Sequence, residues 1–128
     1  MMSTKNTELA MSTIGENSFF SGNIHLSGQL KIDGKYEGNN LIIEQLTVGK
    51  TGKIKCNIEA DIIIVEGIII GNIEAKTRVM LMPTAAIYGD IKTPELIIQN
   101  GVILEGKCII SPNLSKNIKE VIEKRYNE

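Results

Sequence analysis

The stretch KCNIEADIIIVEG, Lys55–Gly67, is followed three isoleucines later by GNIEAKTRVML, which begins at Gly71. The tetrapeptide Asn-Ile-Glu-Ala therefore occurs twice, at Asn57–Ala60 and Asn72–Ala75, fifteen residues apart. Self-similarity at such a spacing is the mark of repeat architectures, where one short unit recurs along the chain. Outward from the tetrapeptide, the pattern apolar-x-small-x-apolar recurs. It reads Phe20-x-Gly22-x-Ile24, Ile32-x-Gly34-x-Tyr36, Ile54-x-Cys56-x-Ile58, Ile69-x-Gly71-x-Ile73, Ile87-x-Gly89-x-Ile91 and Leu104-x-Gly106-x-Cys108. From Ile32 the steps are 22, 15, 18 and 17 residues. Alternation of period two predicts a strand at each triplet, with the named residues on one face. The residues between are mostly polar or charged, among them Lys55, Asn57, Asn72, Asp90 and Glu105; Ile70 is an exception.

A second apolar position precedes most triplets. Val48, Leu81 and Ile98 stand six residues before their triplet, separated from it by the turn-like stretches GKTGK, MPTAA and QNGVI. Val65 stands only four residues before Ile69, so the turn there is shorter by two. Each unit reads as one coil of a β-solenoid. A single coil cannot bury its apolar face, and stacking on near-copies makes the core. Parallel, in-register stacking also gives each coil's backbone groups partners above and below. No helical-period segment separates the strands, which excludes a βαβ sheet. The expected core columns are Ile54, Ile69 and Ile87 in one row and Ile58, Ile73 and Ile91 in another.

The composition agrees with this reading. There are 23 Ile, no Trp, two Phe and three Tyr, so the core is aliphatic and thin rather than built on aromatics. The net charge of −1 supplies no basic excess to hold a phosphate backbone, and nucleic acid is not an expected partner. The apolar runs Ile62–Val65 and Val79–Met82 fall far short of the ~20 residues that cross a bilayer. The opening residues carry no secretion-signal pattern, and the expected location is the cytoplasm. Cys56 and Cys108 are expected as reduced, buried thiols.

Outside the repeat, residues 1–13 are polar and are expected as a flexible tail. After Pro112, Leu114, Ile118, Val121, Ile122 and Tyr126 fall on one helical face, with Asn113 or Ser115 placed to cap. Residues 112–128 are therefore expected as a tail with an amphipathic helix that folds over or beside the last coil. Its polar face mixes Lys116, Lys119, Lys124 and Arg125 with Glu120 and Glu123, which makes attraction to anionic lipid weak.

Residues able to carry chemistry are scarce. His25, the only histidine, has outward parity, and one imidazole does not make a three-histidine zinc site. Cys56 takes the place where other coils have Gly, with no His nearby in sequence to lower its pKa. The carboxylates Glu44, Glu59, Asp61, Glu66, Glu74, Asp90, Glu95 and Glu105 are spread over the repeat and read as a solvated face. GKTGK, Gly49–Lys53, lacks the spacing of a phosphate loop and reads as a turn. No catalytic, cofactor or metal residue is expected, and no enzyme.

The segments IGENSFFSGNI, GQLKIDGKYEG, LTVGKTGKIKCNIEA, VEGIIIGNIEA and LMPTAAIYGDIKTPELIIQNGVILEGKCII together resemble the bactofilin domain over residues 14–111. The resemblance implies an all-β fold, a compact right-handed parallel β-helix with three faces. It also implies a bacterial cytoskeletal protein that assembles, without nucleotide, end to end through its terminal coils into non-polar filaments. Association with the inner membrane face and a role in cell shape, cell-wall growth or polar organisation follow from it, with cell-wall enzymes or membrane proteins as the partners it suggests. Many members open with a hydrophobic or aromatic membrane-targeting segment bearing a basic residue; here MMSTK offers Met1, Met2 and Lys5 without an aromatic. The polymerisation surface expected on this basis comprises Phe19, Phe20 and Ile24 at one end and Leu104, Cys108 and Ile110 at the other. Two other readings compete. A left-handed hexapeptide acyltransferase has six-residue steps at Val48, Ile54 and Ala60 and at Ala85, Ile91, Ile97, Ile103 and Ile109 in its favour, and against it the next steps at Glu66 and Asn72 and a lone His25 where a catalytic histidine is needed. An adaptor that docks a wall enzyme without polymerising is the third.

Overall fold

The computed structural model describes residues 11–110 and Tyr126. Fourteen strands follow one another: β1 (Met11–Ile14), β2 (Phe19–Ser21), β3 (Ile24–His25), β4 (Gln29–Ile32), β5 (Lys35–Ile42), β6 (Gln45–Val48) and β7 (Lys53–Val65). Then come β8 (Ile68–Ile70), β9 (Ile73–Leu81), β10 (Ala86–Tyr88), β11 (Ile91–Thr93), β12 (Leu96–Ile98), β13 (Ile103–Glu105) and β14 (Cys108–Ile110). Every pairing is parallel. The chain winds as a parallel β-solenoid with three faces, and the described residues contain no long helix.

Face A stacks Phe20, Tyr36, Ile54, Ile69, Ile87 and Leu104 in one inward column. Face B stacks Ile24, Leu41, Ile58, Ile73, Ile91 and Cys108. Face C stacks Ile14, Ile32, Val48, Val65, Leu81 and Ile98. Between the ends these columns are closed from water: Ile32, Ile69, Ile91 and Leu81 are fully buried. The duplicated tetrapeptide is one rung laid on the next, with Ile58 on Ile73, Glu59 on Glu74 and Ala60 on Ala75.

One expected triplet is out of phase. Ile32 belongs to face C, and the face A residue of its coil is Tyr36, paired with Phe20 and Ile54. The step of 22 thus dissolves. Along face A the steps from Phe20 are 16, 18, 15, 18 and 17 residues. Unequal coils also remove the uniform six-residue ladder of a hexapeptide helix. The differences lie at the corners. From face C to face A the chain takes six residues at Val48–Ile54 and Leu81–Ile87, but four at Ile32–Tyr36 and Val65–Ile69. The short corners nest beneath the long ones. A Cβ on Gly67 would collide with the carbonyl oxygens of Gly49 and Gly52, so only glycine fits. In the long corners the Thr51 and Thr84 hydroxyls donate to the carbonyls of Asp33 and Glu66, each at 2.6 Å, tying each long corner to the short one before it. GKTGK is such a corner, closed by Gly52 N donating to Gly49 O at 2.9 Å.

The corner between faces A and B is pinned by side-chain oxygens. Asn23 Oδ1 accepts from the Asn39 and Asn40 amides, Asn57 Oδ1 from the Asn72 amide, Asn72 Oδ1 from the Asp90 amide, and Asp90 Oδ1 from the Lys107 amide, at 2.9–3.2 Å. Each oxygen satisfies an amide one coil on, at a bend where the strand ladder is interrupted. Gly71, at φ +145°, makes the bend just before its asparagine, and a Cβ there would strike the Cys56 carbonyl.

Other expectations shift with the structure. Strand β1 takes in Met11–Thr13, so the expected tail overlaps the first coil by three residues. Cys56 is buried, its thiol donating to the Asn57 carbonyl at 3.2 Å, but Cys108 is exposed because no described coil lies over it. The expected C-terminal helix falls outside the described residues, apart from Tyr126.

Candidate assembly surfaces

Residues of inward parity are buried only where a coil lies on both sides. At the N-terminal end, β1, β2 and β3 pair, among the described residues, on one side alone, with β4 and β5. Ile14, Ile24 and Leu26 are half-buried there, and Phe20 is 39 % exposed. Phe20 stacks on Tyr36, with ring centroids 5.3 Å apart and planes 14° from parallel. Tyr36 is itself fully buried, and its hydroxyl donates to the Gly22 carbonyl at 2.7 Å. Burial first, and then the neighbouring Cys56, pushes the Tyr36 hydroxyl up to about 12. Phe19 has the other parity: it pairs with Lys35 and sits on the outer side of face A rather than in the end of the core.

At the C-terminal end, β12, β13 and β14 pair on one side with β9, β10 and β11. Leu104 is half-buried, whereas its column mates Ile69 and Ile87 are closed from water. Cys108 is exposed, Ile98 is 49 % exposed and Ile110 is 55 % exposed. Ile110 lies beyond Thr93, which is buried and holds its own hydroxyl against the Glu95 backbone. The structure thus gathers Leu104, Cys108 and Ile110 at one end and Phe20 and Ile24 at the other, while Ile54, Ile58, Ile69, Ile73, Ile87 and Ile91 fill the stack between. Ile14 and Ile98 complete the two ends on face C. Their place was readable as the apolar position six residues before the first and last triplets, a spacing already marked by Val48 and Leu81.

The polar side chains mostly serve the backbone. Glu44 Oε1 accepts from the Gly28 amide at 2.9 Å, and Arg78 pairs with Glu95 at 3.3 Å. A groove of about 340 Å³ on the outer side of face B is lined by Asn57, Asn72 and Asp90, whose oxygens already hold amides of the next coil. His25 is exposed on the first coil, and no three His, Cys, Asp or Glu among the described residues converge as a metal site. Among the described residues, six like coils whose apolar columns are exposed at both ends define a class: a structural β-solenoid module.

The sequence model of the bactofilin family, described as polymer-forming cytoskeletal, matches residues 12–109. The chain belongs to the bactofilin family. It is 32 % identical over 106 residues to bactofilin BacP of Myxococcus xanthus, covering 78 % of this chain and 44 % of BacP, so it spans less than half of that relative. It is 29 % identical over 116 residues to bactofilin BacO of the same organism, covering 91 % of this chain and 87 % of BacO. Among solved structures it resembles Thermus thermophilus bactofilin, reconstructed by cryo-EM as double helical filaments. The TM-score is 0.73 and the identity 25 %, over 78 % of this chain and 99 % of that one.

Proposed function

We propose that this bactofilin is a cytoskeletal subunit that assembles end to end through its terminal coils, without nucleotide, into non-polar filaments. The observation that carries the reading is the change in exposure along each column. Residues of the same parity are closed from water in the middle and open at both ends, where edge strands also leave backbone groups unpaired on one side among the described residues. A second subunit against each end would extend the columns. Like ends meeting like ends would make each joint isologous, with each residue near its own symmetry mate. The filament reconstruction of the Thermus relative supports polymerisation. The absence of a phosphate-loop spacing in GKTGK supports independence from nucleotide. A scaffold role in cell shape or cell-wall organisation, at the inner face of the cytoplasmic membrane, is the cellular counterpart, with wall enzymes or membrane proteins as clients.

Protein stripped of nucleotide, sedimented and viewed by electron microscopy with and without ATP or GTP, tests this reading. Filaments of equal abundance in both samples are expected. Filaments that form only after nucleotide is added, or none in either, overturn it.

A further inference from the structure

The outer side of face A departs from the polar pattern of a solvated strand. One outward column runs Lys55, Ile70, Tyr88, Glu105 through four successive coils. The parallel outward column runs Lys53, Ile68, Ala86, Ile103. Ile70 is 42 % exposed, and Tyr88 and Ile103 are more than half exposed. The other two faces differ. On face B the outward column runs Glu59, Glu74, Lys92, with an exposed Ile109 only at the last coil, and face C carries Ile64, Met80 and Ile97 half-buried beside the Arg78–Glu95 pair. An apolar centre on an otherwise charged sheet marks a surface that is covered by something.

The column continues past Lys55 to Glu37 and Ser21, and the two charges that flank its apolar centre, Lys55 and Glu105, say what covers it. Basic, apolar, apolar, acidic is self-complementary when read in reverse. Turned end for end about an axis along the strands, a second copy brings its Glu105 to Lys55, its Tyr88 to Ile70, and the reverse pairs by symmetry. We infer that the outer side of face A is the lateral surface by which this chain pairs with an antiparallel copy of itself, joining two strands of subunits. The inference rests on the assembly reading above: a non-polar strand contains subunits of both orientations, so an antiparallel neighbour is always available. The double helical filaments of the Thermus relative require some lateral surface besides the end-to-end one. Each Lys55–Glu105 pair is weak on an exposed surface, and the repeat of the contact along a strand multiplies it.

Mass per unit length by scanning transmission electron microscopy separates paired from single strands by a factor of two. Four variants at low ionic strength test the surface: Lys55→Glu, Glu105→Lys, both together, and Ile70→Lys. All change outward side chains, and circular dichroism checks that the fold is kept. Glu37, beside Lys55 in the same column, is common to the single and double exchanges and cancels between them. Wild-type strands are expected at double mass, each single charge reversal and Ile70→Lys at half of it, and the double exchange at double mass again. Wild-type strands of single mass, single reversals that stay paired, or a double exchange that stays unpaired overturn the inference. So does an Ile70→Lys protein that stays paired but no longer binds phosphatidylglycerol vesicles, which assigns the patch to a lipid surface. A wild type that forms no strands at all overturns the assembly reading itself.

Discussion

Ile73 lies between Ile58 and Ile91 in its column and is closed from water. An Ile73→Asp carboxylate would have no partner there, since its neighbours above and below are aliphatic. The expected loss is on the order of 3 kcal/mol or more, read as a lowered denaturation midpoint. A change under about 1 kcal/mol would contradict the packing described. The two titratable groups inside the same core act through pH. Burial pushes the Cys56 thiol up from 9.0 to about 11, and burial with Cys56 nearby pushes Tyr36 up from 10.0 to about 12. Both are neutral in the fold and ionise earlier when unfolded. Their contribution is therefore whole below about pH 9 and is lost as pH rises through the folded values. Denaturation midpoints should fall steadily from pH 9.0 towards 12, and in Cys56→Ala the fall should begin nearer the ordinary tyrosine value of 10.0.

Among the elements, the corner asparagines are the ones to test. Removing the Asn57 carboxamide leaves the Asn72 amide without its acceptor. Asn57→Ala should cost about 1 kcal/mol, and amide exchange at Asn72 should quicken while Ile63, deep in β7, stays protected. Unchanged exchange at Asn72 would mean the carboxamide is dispensable. The elements also show how far the sequence could be read. The strands around Ile54, Ile69 and Ile87 were legible because inward aliphatic and outward polar residues alternate over several coils. The second coil was not. Ile32-x-Gly34-x-Tyr36 has the same apolar-small-apolar form as a true triplet, although Ile32 and Tyr36 lie on different faces around a short corner. The genuine rung, Tyr36 to Leu41, carries one extra residue between Glu37 and Asn40 that breaks period two. Alternation alone does not mark which face a strand belongs to; the corner lengths do. Cys108 was misread for a related reason. Parity tells which way a side chain points, and burial needs a further coil on top.

At the level of the whole molecule, the C-terminal coil is where the proposed assembly can be tested. Leu104 ends the face A column, half-buried above Ile87. A Leu104→Arg change would set two guanidinium groups near each other at an isologous joint and remove apolar burial worth roughly 2 kcal/mol on each side. The monomer, whose core lies below this coil, should keep its β-type circular dichroism yet elute as a small species on size exclusion. Filaments that persist, or a protein that unfolds, would show that Leu104 belongs to the interior rather than the joint.

The carboxamide and carboxylate oxygens at the corner between faces A and B also give the stack a direction, each oxygen holding the next coil. Each one waits for the amide of the following coil, and the series ends when Asp90 holds the amide of Lys107. The lysine side chain has donors and no acceptor, so the last described coil offers no side-chain oxygen at that corner for a further amide. A solenoid of near-identical rungs could in principle grow without end from a repeated gene segment. Here the ladder of corner oxygens lapses at Lys107 among the described residues, so a head-to-tail copy would bring its Asn23 amide to a corner without a side-chain acceptor. On the assembly proposed above, a joint between subunits would then lack one contact that most coils within a subunit share.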